Sequence, residues 1–285
     1  MSSQKNLSVG PAPRQQYQWD WRAAGNFMGG GAGAGLLLFT QLSGVKGIAA
    51  IVLVLGGLGL VGLGLFCVWL EIGRPLRAMN VFLNARTSWM SREALVSILV
   101  FGLGLGLLAG VNAWAAPLAI AALAFLYCQA RIVQGAKGIA TWREPMTVPL
   151  LVFTGLAEGA GLFWMVAAWQ FSSGALVALF GVLVLMRWLL WRAWRASIAG
   201  APAPALAAID RGGIALQWLG SAAPLALVLL AGFGVAPGPW SAALLTAAGA
   251  LVALTGAAFK FTLVTRGAYY QGFSLARLPV RGVPR

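Results

Sequence analysis

Apolar residues fall in long blocks along most of this chain, separated by short polar breaks. A helix needs about 20 such residues to cross about 30 Å of hydrocarbon, and by that measure the pattern predicts eight spans. They are Ala23–Leu42, Gly47–Leu70, Ala94–Trp114, Pro117–Val133, Val148–Gln170, Ala175–Trp194, Gly213–Val235 and Ser241–Val264, the fourth being the shortest. The connections Ser172–Gly174 and Ala236–Trp240 are short enough for tight turns between antiparallel helices. The expectation is an all-α membrane protein: a polar N-terminal segment at 1–22, an eight-helix bundle at 23–264 and a basic tail at 265–285.

Charge interrupts the apolar pattern most densely between the second and third spans. From Leu70 to Glu93 the chain carries Arg74, Arg77, Arg86 and Arg92 together with Glu71 and Glu93, in a protein with only six acidic residues. Pro75 cannot extend the preceding helix and biases Arg74 away from helical geometry, so the second span is expected to end near Glu71. Trp89 suits an interfacial anchor. Ser91 reads as an N-cap for the third span, with Glu93 in the first turn, where the helix dipole favours a carboxylate. Two carboxylates thus bracket a basic loop at one membrane surface, an arrangement able to take and give protons beside a lipid-soluble carrier.

Composition strengthens the membrane reading. With 60% hydrophobic and 9% charged residues and a mean hydropathy of +0.84, the chain has too little polar surface to cover a water-soluble core. The first twenty residues read as polar and mature, not as a cleaved leader, so insertion is expected to rest on the helices themselves. The chain has no histidine, which removes the usual ligand of membrane haem and the commonest zinc ligand. Cys67 and Cys128 each sit alone in an apolar run, without the paired spacing of zinc or iron–sulfur ligation. No haem and no metal site are therefore expected here, and metal centres serving any redox role would belong to a partner.

The 20 basic residues sort almost entirely to one side of the eight predicted spans, with Lys46 alone on the other. By the excess of Lys and Arg in cytoplasmic loops, both termini and the charged loops are expected in the cytoplasm, with the protein a multi-pass component of the inner membrane. The same basic face can serve as a docking surface for a soluble partner. The 38 glycines cluster inside spans, as at Gly29–Gly35, Gly102–Gly110 and Gly155/Gly159, where small residues let helix backbones approach closely. The GxGxxG at Gly57, Gly59 and Gly62 lies within an apolar span with no strand before it, which argues against dinucleotide binding.

Ionisable groups at membrane depth cost free energy unless paired or hydrated. Glu158, near the middle of the fifth span, reads either as the partner of an arginine on a neighbouring helix or as part of a proton path. Lys260 and Arg187 are expected to snorkel toward the basic face.

The strings Glu71-Ile72-Gly73-Arg74-Pro75-Leu76-Arg77-Ala78 and Arg86-Thr87-Ser88-Trp89-Met90-Ser91-Arg92-Glu93 resemble the signature of the dimethyl-sulfoxide-reductase anchor subunits, within the polysulfide/nitrite-reductase membrane-subunit superfamily. The resemblance implies a quinone-reactive anchor that holds a molybdopterin catalytic subunit and a four-cluster ferredoxin-like iron–sulfur subunit on the membrane. Those metal centres reside in the partners, while lipid and quinone or quinol are this chain's own ligands and nucleic acid is not one. The resemblance implies quinol handling by Glu93, and Glu71 stands where the family commonly has histidine. Asn26 and Tyr127 are implied as hydrogen-bonding quinone contacts, and Arg74 or Arg92 as the cation that orients a quinone carbonyl or stabilises negative charge on the ring, beside Trp89. Trp19-Asp20-Trp21-Arg22 and the ending from Lys260 through Gly282 are similar to anchor subunits of phenylacetyl-CoA:acceptor oxidoreductases. A small-solute or ion transporter, which predicts a midplane site between internal repeats, and a tether without a quinone site are the competing readings.

Overall fold

A computed structural model of the chain describes residues 12–72, 75–232 and 238–271. Arg74 and the ending beyond Gln271 lie outside the described residues, as do the side chains of residues 73–78. The chain is built from a short strand β1 (Arg14–Gln15), then α1 (Trp21–Gly25), a π-helical turn (Asn26–Gly30) and α2 (Gly31–Ser43), which run on as one helical rod. Then come α3 (Gly47–Glu71), a 3-10 segment (Pro75–Asn84), α4 (Trp89–Leu108), a 3-10 turn (Asn112–Trp114), α5 (Ala115–Gly135), the short α6 (Ala140–Arg143) and α7 (Thr147–Ala167). The rest is α8 (Gly174–Ser197), α9 (Ala203–Gln217), a π turn (Trp218–Ala222), α10 (Ala223–Gly232), α11 (Pro239–Phe261), a π turn (Thr262–Arg266) and β2 (Tyr269–Tyr270).

Among the described residues, seven helical runs are long and apolar enough to cross a membrane: Gly47–Glu71, Trp89–Leu108, Asn112–Gly135, Thr147–Ala167, Gly174–Ser197, Ala203–Gly232 and Pro239–Arg266. The protein is thus an all-α, multi-pass membrane bundle. The predicted first span falls on the α1–π–α2 rod, which its six glycines and Asn26 leave less apolar than the other seven. Side chains such as Ile120, Leu63 and Leu254 stand exposed on the outside of the bundle, as they do where lipid replaces water. Exposed Trp114, Trp169 and Trp240 ring one end, and exposed Trp21 and Trp69 stand at the other, as interfacial aromatic belts do.

Helix boundaries differ from the sequence reading where capping decides them. The N-cap of α4 is Ser88, whose hydroxyl accepts from the Ser91 N–H at 3.4 Å, so Ser91 and Glu93 both sit inside the helix. The fourth predicted span, Pro117–Val133, expected to be shortest, is the 24-residue run Asn112–Gly135 because the helical run starts earlier, with the 3-10 turn at Asn112–Trp114 leading directly into α5. The run predicted to begin at Gly213 begins at Ala203. Pro204 occupies an early position where a missing N–H costs nothing, and Arg195 pairs with Asp210 at 2.5 Å across α8 and α9.

The core is tightest where α2 crosses α7. Gly35 and Gly159 face each other there, and a Cβ on Gly159 would collide with the Gly35 and Leu36 backbone. Lipid offers no hydrophobic drive for helix association, so backbone approach at small residues supplies the packing. We expect Gly159→Leu to part these helices and cost about 3 kcal/mol or more, seen as loss of a monodisperse peak and a lowered unfolding temperature in detergent.

The polar ends are fastened over one end of the bundle. β1 pairs antiparallel with β2, Arg14 opposite Tyr270. The Gln16 side chain, 4% exposed, accepts from the Trp19 N–H at 2.8 Å and donates to the Val264 carbonyl at 3.0 Å. This holds the Trp19 ring 4.8 Å from Trp142 and 5.8 Å from Phe27, at the edge of an apolar cavity.

Candidate functional site

The cavity, about 440 Å³ in volume, opens between the α1–π rod, the end of α3, the 3-10 segment and the start of α4. Its walls are mostly apolar and aromatic, with Trp19, Phe27, Trp69 and Phe82 around it and Asn26, Glu71, Glu93 and Ser97 as its polar groups. That size and lining suit a small ring-bearing ligand.

Local structure explains how residues 67 apart in sequence meet. Asp20 caps α1, accepting from the Arg22 N–H at 2.8 Å. The Arg22 guanidinium pairs with the same carboxylate at 2.9 Å and donates to the Leu70 carbonyl at 3.0 Å, tying the rod to the end of α3. The hydrogen-bonded Arg22 guanidinium holds the Asp20 carboxyl below its ordinary value. One turn on, the helix widens into the π turn beginning at Asn26, a distortion that recurs at functional sites. There the Asn26 carbonyl accepts from Gln129 Nε2 of α5 at 3.0 Å, and Asn26 Nδ2 donates to Glu93 Oε1 at 3.1 Å. A side chain on Gly30 would strike the Gln129 amide, so the glycine run at the π turn leaves room for this link.

Asn26 is 3% and Glu93 6% exposed. Asn26 Oδ1 is buried without a hydrogen-bond partner. The Asn26 amide holds the Glu93 carboxylate in place, and that carboxylate can accept a proton. Glu71, half-buried, lines the same cavity.

The structure therefore brings together Asn26, Glu71 and Glu93. It gathers Trp89, Arg92 and Tyr127 elsewhere. The Arg92 and Arg131 guanidiniums lie 4.1 and 4.7 Å from the Trp89 ring centroid, Tyr127 packs edge-on against Trp89, and its hydroxyl accepts from Arg131 at 3.2 Å. Arg92 donates to the Ala85 and Arg86 carbonyls, clasping the turn before α4. Trp89 and Arg131 of this stack line a separate polar crevice with Gln134, Lys137, Arg143 and Glu144. Gln129 is the site residue that sequence reading passed over. Its signal was available, because a lone glutamine in an apolar span is a polar group at membrane depth, as Glu158 is.

Glu158 takes a lysine as its partner where an arginine was one expectation. Lys260 Nζ lies 2.5 Å from Glu158 Oε2, and both side chains are buried. Arg187 is fully buried, donating to the Val252 carbonyl at 3.0 Å and to the Gly220 carbonyl of the second π turn. Neither cation snorkels, because carbonyls and a carboxylate inside the bundle hold them, although Arg187 Nε has no partner among the described residues.

No protein-family model matches the chain. Among curated proteins it is similar to a sulfite dehydrogenase subunit from Allochromatium vinosum, 30% identical over 165 residues. The aligned part is 50% of this chain and 47% of that protein, so the match spans about half the length of the relative.

Proposed function

We propose that this chain is the quinone-reactive membrane subunit of an oxidoreductase complex, passing electrons between a partner's iron–sulfur cluster and the quinone pool. The observation that carries the reading is the apolar, aromatic-walled cavity lined by two buried polar residues, Asn26 and Glu93, with the Asn26 amide donating to the Glu93 carboxylate. The similarity to a subunit of a sulfite dehydrogenase supports membership of such a complex. Bound in the cavity, a quinone supplies two-electron redox chemistry. The Asn26 side chain hydrogen-bonds a ring oxygen and fixes its orientation, Glu93 takes the two protons of the quinol in turn as its two electrons pass to the partner's iron–sulfur cluster, and Glu71 passes the protons outward. Trp19, Phe27 and Trp69 exclude water and flank the ring. Quinone reduction runs the same proton steps in reverse.

The reading includes an eighth crossing by the Trp21–Ser43 rod, both termini in the cytoplasm and placement in the inner membrane. The partners are a four-cluster iron–sulfur subunit and a molybdopterin catalytic subunit, as in the dimethyl-sulfoxide-reductase anchor family. They dock on the basic face around Arg131, Lys137 and Arg143, and a CoA ester such as phenylacetyl-CoA is the substrate that suits a cytoplasmic catalytic partner.

The test is purification from native membranes with a quinone analogue titrated by quenching of tryptophan fluorescence. The expected result is copurifying iron and molybdenum, saturable quenching, and about ten-fold or weaker analogue binding in Asn26→Leu, the size of one lost buried hydrogen bond. A chain that purifies alone and shows no saturable quenching overturns the proposal.

A further inference from the structure

Four side chains of the acidic and basic residues are buried among the described residues: Glu93, Glu158, Arg187 and Lys260. Two are acids and two are bases, so the set is electroneutral only when Glu93 is ionised. A buried charge without a counter-charge costs several kcal/mol, and the immediate surroundings of Glu93 supply none. The π turn gives the neutral Asn26 amide. From α5 come the Gln129 amide and Cys128, and α3 gives Glu71, another acid, across the cavity. Arg92, on α4 itself, is committed to the Ala85 and Arg86 carbonyls.

Behind the amides lies a surplus of positive charge. Lys260 pairs with Glu158, and Arg187, buried and held by the Val252 and Gly220 carbonyls, has no carboxylate of its own among the described residues, so the cluster holds two cations and one carboxylate. Gln129 Oε1 and Lys260 Nζ both lie within 3.5 Å of the point where a Cβ on Gly31 would sit. A cavity of about 10 Å³, the volume of a single water, is bounded there by Phe27, Gly31, Gln129 and Lys260. Beyond that small cavity, Gln129 donates to the Asn26 carbonyl and the Asn26 amide donates to Glu93.

We propose that Lys260 is the buried counter-charge of Glu93, so that the surplus positive charge of the Glu158–Lys260–Arg187 cluster sets the protonation equilibrium of Glu93 from behind Gln129. The intervening amides do not ionise, so the link transmits electrostatic influence and no proton. Lys260 is a positioning residue for charge, and it touches neither the cavity wall nor its ligand. The consequence for turnover rests on the quinone reading, whereas the coupling itself does not.

The experiment is an infrared pH titration of the purified full complex, following the carboxyl band of Glu93 identified by its loss in Glu93→Gln. In Lys260→Gln the Glu93 midpoint moves to higher pH by about one unit, the order of effect of removing one unit charge from behind a buried amide link at an effective dielectric of about 20. In Glu158→Gln it moves the opposite way, since a negative charge has been removed. If either variant fails to fold, the other still gives a signed result. A pair with only a structural role moves neither midpoint, and an unmoved midpoint or shifts of the same sign overturn the proposal. Opposed shifts combined with unchanged quinone turnover in Glu93→Gln uphold the coupling and sink the quinone reading.

Discussion

Glu93→Gln lowers quinone-coupled turnover of the complex by about 10²–10⁴-fold, the range for loss of a positioned general base, and leaves reduction of an artificial acceptor by the partner subunits unchanged. Glutamine keeps the volume of the side chain and an oxygen for the Asn26 amide, which donates to Glu93 at 3.1 Å, so the cavity holds its shape. What it loses is the ability to take a proton. With Glu93 6% exposed, bulk water has poor access to replace it. Glu71 offers a graded comparison. It is only half-buried at the cavity edge, where water can substitute, so Glu71→Gln falls well short of the Glu93 effect. Steady-state rates with a quinol or quinone, set beside rates with a water-soluble dye, decide the matter. Equal quinone turnover in wild type and Glu93→Gln removes Glu93 from the mechanism.

How much of this was legible in the sequence follows from which forces act locally. Apolar blocks long enough to cross a bilayer declare themselves, because backbone groups in lipid must be satisfied within the helix, and the runs from α3 through α11 fall near the predicted spans. Ends were harder. Pro204, Asp210 and Arg211 read as a loop, yet α9 includes them because Arg195 on α8 pairs with Asp210. Ser91 was the expected cap of α4, yet Ser88, equivalent by residue type, takes that place because the chain turns helical one residue after it. Asn26 and Glu93 were both singled out, but their contact depends on the π turn at Asn26, which no pattern of hydropathy encodes. Pairing of Arg14–Gln15 with Tyr269–Tyr270 joins opposite ends of the chain, and nothing local announces it. The loop arginines drew attention by their charge, whereas Arg92 is occupied with loop carbonyls and the Trp89 ring. Charge density marked the region of the site without marking which side chains enter it.

The largest stability effect is expected inside the bundle, away from the cavity. Glu158→Leu leaves the Lys260 ammonium, 2% exposed, without its partner, and removal of one member of a buried pair costs about 3–5 kcal/mol. A lipid-facing lysine can reach the interface, but Lys260 is enclosed by α2, α5 and α7, with Gly31 and Gln129 against its end. Opening of the α7–α11 contact relieves the cost by admitting water to the ammonium. The double variant Glu158→Leu/Lys260→Met removes both charges and fills the space with apolar atoms, so it unfolds at a higher temperature than Glu158→Leu alone. Arg187 keeps the Val252 and Gly220 carbonyls in both variants, so its contribution largely cancels in the comparison. Thermal unfolding of purified protein in detergent reads the difference. A double variant no more stable than Glu158→Leu would mean that the cost lies in packing around position 158 and not in the stranded charge.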